Sequence, residues 1–495
     1  MTGAARPSAR LNSLVTAGGM LLQQALGFIG GVFVAKLLGP ADYGEVSVLR
    51  SILTIIIVVT PLGLDLALFR ILPRFDDAPH EQALHFRRFR ILVFASGIVM
   101  TLLGSMLVGP LLASHVYDYT GFKTNFSLTL LAIPFASDVL LMVAWFRVQG
   151  NIIPILGITY YFQPIVRTVL NVLAVYLGYG VIGVVIGTTF AYLAGFLLAV
   201  PYYAWTQRER EPHGRASEAP DWKVSWQHFR EAPSMALNLF AYSIMRTADL
   251  AIVGAIAATH AVGEYAVVSN IAQLVPVAAT SLMQTLGPAI ARHHSKGDNA
   301  AVARDINNTI RWATILGGFI FGGIAGFGEH LDVIFGPAYK PDPAITVLIP
   351  LGYLISAALS PTSYALTMCG RSKTDLAILM LSSAVLVGTC IPFTMAYGTV
   401  GAAISVIIAF TLINLLRLIA ANRLLGVRLG SWADIIPPTL AFATAAALNH
   451  LITSKDTNLS RLLLACTLYA VLYGLIVISL PACRKLRWKL KSKVA

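Results

Sequence analysis

The chain has 495 residues, of which 57% are hydrophobic and only 12% charged, a balance that excludes an ordinary water-soluble domain. Apolar stretches of about 20 residues or more recur from near the N-terminus to Leu480, each long enough for a hydrocarbon core of roughly 30 Å. The formal net charge of +13 argues for membrane topology and against nucleic acid: with a cytoplasmic N-terminus and fourteen alternating spans, 28 of the 36 Lys and Arg fall at cytoplasmic ends, 5 at outer ends and 3 inside spans, as the positive-inside rule requires.

Hydropathy predicts helices over 11–37, 46–70, 91–113, 125–147, 154–178, 181–204, 233–259, 262–290, 308–328, 343–368, 375–397, 400–423, 434–453 and 459–481, because a backbone inside lipid must satisfy its own hydrogen bonds. The first run follows Arg6 and Arg10 without a small-residue cleavage site and reads as a retained helix, not a signal peptide. After it, Leu37 to Val46 reads LLGPADYGEV, and a degraded copy, AVGEYAV, returns from Ala261 to Val267. Gly44-Glu45 then falls on Gly263-Glu264, 219 positions later, which marks an internal duplication.

The duplication divides the chain into an N-terminal lobe of six helices (1–204), a cytoplasmic linker rich in charge, Pro and Ser (205–232), a C-terminal lobe of six helices (233–430), and two additional helices with a basic cytoplasmic tail (431–495). An even number of helices per lobe gives both lobes one orientation, a pseudo-two-fold axis along the membrane normal and a cavity at their interface. The expected fold class is therefore all-α integral membrane, with about fourteen transmembrane helices and both termini cytoplasmic. The last two helices are expected to face lipid or to supply a second surface. The tail from Arg484 to Lys493 is suited to anionic lipid.

Three arginines fall inside spans: Arg50, Arg167 and Arg246. Each costs roughly 2.5–3.5 kcal/mol at mid-membrane unless it meets water or a counter-charge, so all three are expected to face the cavity. Helical spacing extends them into polar stripes: Tyr160, Gln163, Arg167 and Asn171; Asn238, Tyr242, Arg246 and Asp249; Asn270, Gln273, Thr280 and Gln284; Asn12, Thr16 and Gln23. Guanidinium forks match phosphate oxygens, while amides and tyrosines suit sugar hydroxyls and rings.

Other readings stay open at these positions. Arg50, near a helix end, is able to snorkel, and Arg246 stands one turn before Asp249 and is able to form a structural ion pair. Asp65, Asp138 and Asp249 offer carboxylates that would bind Na⁺ or H⁺ and couple its gradient to transport. Asp138 on the fourth helix is expected to neutralise Arg167 on the fifth. Pro61, Pro134, Pro164, Pro276 and Pro361 lie inside spans and are hinge candidates. Nothing points to a cofactor, a metal or a catalytic centre. Cys369, Cys390, Cys466 and Cys483 lack ligand spacing, His293-His294 are adjacent and cannot share a helix face, Asp76-Asp77 read as a solvated loop, and no GxxxxGK[ST] loop occurs.

LLGPADYG after the first helix, GLDLALFR closing the second, RTADLAIVG in the seventh and VGEYAVVSNIAQL opening the eighth together resemble the polysaccharide-transporter flippases of the multidrug/oligosaccharidyl-lipid/polysaccharide exporter superfamily. The resemblance covers about residues 11–430. It implies two lobes opening alternately, and transfer of an undecaprenyl-diphosphate-linked oligosaccharide from the cytoplasmic to the outer leaflet of a bacterial inner membrane, for O-antigen (lipopolysaccharide) or exopolysaccharide synthesis beside the assembly enzymes. Two alternatives compete. A cation-coupled drug exporter of the same superfamily usually has twelve helices and holds cations with acids, against fourteen helices and three arginines here. A membrane-bound glycan polymerase or ligase needs a sizeable outer loop, whereas the connections Ser114 to Thr124 and Glu329 to Asp342 are short.

Overall fold

The computed structural model describes residues 9–75, 78–117, 119–208, 233–426, 428–452 and 458–479. Asp76-Asp77, most of the 205–232 linker, Cys483 and the basic tail lie outside the described residues, as do the side chains of Asn12, Thr16 and Gln284. Among the described residues all regular structure is helical. Ten segments among the described residues are long and apolar enough to cross a bilayer. That count differs from fourteen for identifiable reasons. One 54-residue run, Ser372–Leu425, covers two expected helices on either side of a break at Gly398 (φ 59°). The first expected span is apolar only from Leu22 to Leu38, and the fifth and eighth are interrupted by a π-helical stretch and by a turn.

By contacts the chain forms two compact units, Met1–Gly263 and Glu264–Ala495. The first begins with α1 (Ala9–Leu38) and α2 (Pro40–Val59), then a turn at 60–63 and α3 (Leu64–Ile71). It continues through α4 (Pro79–Leu103), a π-helical turn and α5 (Gly109–His115), then α6 (Phe122–Leu130) and α7 (Ile133–Val148). A π-helix, Ile155–Phe162, leads into α8 (Gln163–Tyr176), followed by α9 (Gly180–Arg208) and α10 (Pro233–Ile256). The boundary between the units falls within α11 (Thr259–Ala272).

The second unit continues with α12 (Val277–Ser295), α13 (Asn299–Phe327), a short α14 (Leu331–Phe335), α15 (Pro343–Leu359), α16 (Pro361–Met368), α17 (Ser372–Leu425), α18 (Ile436–Ile452) and α19 (Leu459–Ser479). All five singled-out prolines sit where a helix is interrupted or restarts. Pro61 lies in the α2–α3 turn, Pro134, Pro164 and Pro361 in the first turns of α7, α8 and α16, and Pro276 caps α12. A proline has no N–H to give to the preceding turn and is tolerated where that donor has no partner anyway.

Close packing in the first unit relies on glycine. A Cβ on Gly97 of α4 would lie 2.7 Å from Cα of Pro134, and one on Gly30 of α1 would lie 2.7 Å from the Thr168 methyl. α2 and α10 run together in the same way. Ser51 Oγ donates to the Thr247 carbonyl, Tyr117 donates to the Ala251 carbonyl at 3.0 Å, and a Cβ on Gly254 would fall 2.3 Å from Val48 Cγ2. Tyr117 lies in the loop before α6, and burial pushes its hydroxyl up to about 12, so it remains a protonated donor at neutral pH. The two copies of the duplicated turn meet here. A Cβ on Gly44 would lie 3.0 Å from the Gly263 nitrogen, and one on Gly263 would lie 1.8 Å from the Pro40 carbonyl oxygen. A tight core of Leu68, Phe86, Phe89, Trp145, Phe146 and Tyr203 seals the other end of the α3, α4, α7 and α9 bundle.

In the second unit α13 is the spine. Gly318, Gly322 and Gly326 present their backbones to Pro438, Ala441 and Ala445 of α18, at the small-residue spacing that lets membrane helices approach closely. α19 is tied to the same helix by Tyr469 and Tyr473, which donate to the carbonyls of Phe319 and Ile315 at 2.6 and 2.9 Å. The two additional helices are thus docked on α13, with one face still bearing exposed Leu463, Leu464, Leu472 and Leu475.

Candidate functional site

Most of the singled-out polar residues lie in the first unit; Asn270, Gln273, Thr280 and Gln284 belong to the second. The four members of the stripe on the fifth expected helix meet different neighbours. Tyr160 accepts from Arg147 Nη2 at 3.4 Å. Gln163 lines a cavity. Arg167 lies close enough to Tyr192 of α9 for the Tyr192 hydroxyl to favour its charge. Asn171 is tied to α9 through Nδ2 and Thr188 Oγ1 at 3.1 Å, so it serves helix packing.

Arg50 lies near enough to Arg167 for the two positive charges to act on each other. Among the described residues neither has an acid within ion-pair distance. Two guanidinium groups without counter-charge in a membrane-spanning bundle form a strongly electropositive spot. The α1 backbone passes close by, and a Cβ at Gly27 would lie 3.9 Å from Arg167 Nη2.

The expected Asp138–Arg167 pair is corrected by the structure. Asp138 is 1% exposed and takes a fork from Arg90 of α4, with Nε to Oδ1 at 3.0 Å and Nη2 to Oδ2 at 2.6 Å. Arg90 also lies over the Tyr203 ring at 5.2 Å. The physical reason is adjacency: α7 packs flat on α4, where Gly97 admits Pro134, and this brings Arg90 to Asp138. With Asp138 committed elsewhere, Arg167 keeps its charge uncompensated.

On α10 Arg246 stacks over the Tyr242 ring at 5.9 Å, with Tyr242 half exposed. Asp249 is buried one turn further on. Asn238 and Thr280 retain partial or full exposure, and the Thr280 hydroxyl bonds to its own helix at Val277.

Asp65 stands in the first turn of α3, directly after the break. There Leu62 adopts φ 57° and Gly63 φ 79°. A non-glycine residue in the left-handed region costs on the order of 1–3 kcal/mol and persists only where surrounding structure imposes it. The break aims the Asp65 carboxylate toward a cavity of about 280 Å³ lined by Gln23, Thr159, Gln163, Tyr192 and Arg147, with Ile57, Val139 and Val143 among its apolar walls. Oδ1 of Asp65 and Oγ1 of Thr159 are both buried without a hydrogen-bond partner.

Sequence reasoning found Gln23, Asp65 and Gln163 here but missed Arg147, Tyr192 and Thr159. Arg147 stands at a cytoplasmic helix end in the expected topology, and Tyr192 sits in an apolar, glycine-rich helix. The one available signal was that Thr188, Thr189 and Tyr192 recur at helical spacing in that segment. No cluster of His, Cys, Asp and Glu able to hold a metal occurs among the described residues.

Residues 10–294 match the family described as polysaccharide biosynthesis protein, and the chain belongs to that family. No curated protein matches it significantly. Among solved structures it is similar to the lipid II flippase MurJ in an inward closed conformation, at 15% identity and TM-score 0.73, over 95% of this chain and 99% of that one. It is also similar to an inward-facing multidrug resistance MATE transporter of the MOP superfamily, at 14% identity and TM-score 0.66, over 84% and 98% of the two chains. A further similarity is to a MOP superfamily transporter from Pyrococcus furiosus whose binding pocket has reversed polarity, at 16% identity and TM-score 0.60, over 84% and 94%. The protein is a multi-pass membrane protein with this fold.

Proposed function

We propose that this chain is a flippase for undecaprenyl-diphosphate-linked oligosaccharide repeat units. It moves them from the cytoplasmic to the outer leaflet of a bacterial inner membrane by alternating access, for O-antigen or exopolysaccharide assembly. The observation that carries the reading is the Arg50–Arg167 pair, two neighbouring guanidinium groups with no acidic partner among the described residues. A diphosphate supplies the missing counter-charge, and two planar forks match its oxygens. A sugar diphosphate does not cross hydrocarbon unaided, because its charges and hydroxyls would lose their water; the polar groups of Gln23, Gln163 and Tyr192, which line one cavity, replace part of that hydration. Arg246, over Tyr242 on α10, is assigned to the same cargo.

The test is genetic and chemical. In a deletion strain, undecaprenyl-diphosphate oligosaccharide accumulates on the cytoplasmic leaflet and surface polysaccharide falls, while sensitivity to cationic dyes is unchanged. Arg167→Ala and Arg246→Ala fail to complement at near-normal protein levels, and lysine at either position restores export only in part. Dye hypersensitivity with undisturbed surface glycan would instead assign the chain to cation export, the other branch of the fold.

A further inference from the structure

We infer that the cavity beside Asp65 is a subsite for a single sugar ring, the one carried next to the diphosphate; the inference rests on the flippase reading above. Its position fits, because Gln163, which lines the cavity, stands one helical turn before Arg167 on α8, and Tyr192, which also lines it, acts on the Arg167 charge. A volume of about 280 Å³ lies just below the roughly 300–1,000 Å³ of pockets for drug-sized ligands, which is room for one ring.

The chemistry of the wall selects a neutral polyol. Asp65 Oδ1 and Thr159 Oγ1 are buried without partners, so one acceptor and one donor–acceptor stand ready. Gln23 and Gln163 each bring a donor and an acceptor, and Arg147 brings further donors. Val139, Val143 and Ile57 supply an apolar wall for the C–H face of a ring. A bare cation fits less well on two counts. Arg147 is near enough to Asp65 to act on its charge, so a cation there would sit against a guanidinium. The space also far exceeds what one dehydrated ion fills. Buried polar groups left unpaired without ligand and paired with it are how a site demands hydroxyls at given places.

The purified full-length protein in nanodiscs is titrated with two probes: undecaprenyl diphosphate, and undecaprenyl-diphosphate-linked N-acetylglucosamine or glucose. The parent binds the sugar-bearing probe more tightly than the bare one. Asp65→Asn and, independently, Thr159→Val lower affinity for the sugar-bearing probe about five- to tenfold, the effect of one lost hydrogen bond, while affinity for bare undecaprenyl diphosphate stays within about twofold. Arg167→Ala weakens both probes. Equal affinity of the parent for the two probes, or variants that leave the sugar preference intact, overturns the subsite and leaves the flippase reading standing. Binding of neither probe by the parent overturns both. Stabilisation by NaCl that is lost in Asp65→Asn, with unchanged sugar preference, makes the cavity a cation site and overturns the inference.

Discussion

Gly263→Ala places a single methyl where the structure has no room for it. The added Cβ would sit 1.8 Å from the Pro40 carbonyl oxygen, 2.5 Å from its carbon and 2.8 Å from its Cα, and all three are backbone atoms that no rotamer change can move. Relief to 3.0 Å, a distance real Cβ atoms only just tolerate, requires α2 and α11 to part by about 1.2 Å. Overpacking of this kind costs about 1–3 kcal/mol, or roughly five- to 150-fold in an equilibrium between parted and joined helices, since 1.4 kcal/mol is about a factor of ten.

The nearby joint reports on the separation. In a background without native cysteines, Ser51→Cys with Thr247→Cys forms a cross-link, because the Ser51 side chain reaches the Thr247 backbone across the α2–α10 joint. Adding Gly263→Ala lowers the cross-link yield several-fold and lowers the thermal midpoint of the purified protein. Gly31→Ala, whose Cβ meets only the Tyr43 hydroxyl at 3.6 Å, changes neither. Full cross-linking in the Gly263→Ala background would show that the duplicated turns do not hold these helices together.

Arg90→Ala leaves the Asp138 carboxylate buried without its fork and costs about 3–5 kcal/mol, visible as loss of thermal stability, whereas Arg90→Met with Asp138→Leu recovers most of it. Tyr473→Phe removes one hydrogen bond from α19 to α13 and costs about 1 kcal/mol in detergent unfolding. Gly326→Ala, whose Cβ would lie 2.4 Å from that of Ala445, loosens α18 from α13 at about 1–3 kcal/mol and exposes it to earlier proteolysis. A cysteine at position 215 stays unlabelled by an impermeant reagent added to intact cells and labels after lysis; labelling from outside would reverse the assigned orientation.

The helices were legible in the sequence because a backbone in lipid has only one local solution, so hydrophobicity and length suffice to place them. The duplicated turn was legible because its Gly-Glu pair survives in both copies, and the membrane arginines because their insertion cost makes them conspicuous in an apolar run. Partners were not legible. Spacing along one helix says which residues share a face but not which helix that face meets. So Asp138, expected beside Arg167, met Arg90 instead once α7 packed on α4. Asn171, in register with Arg167, was taken up by Thr188 of α9. Arg147, read as a helix-end charge, arrived next to Asp65 only because the break at 60–63 turns α3 inward. Likewise the two turn copies, 219 positions apart, showed their kinship in sequence, but that they touch through Gly44, Gly263 and Pro40 is a fact of backbone approach. Hydrophobicity selects what enters the membrane. Which buried charges and hydroxyls face one another depends on helix rotation and breaks, and these are set by long-range packing.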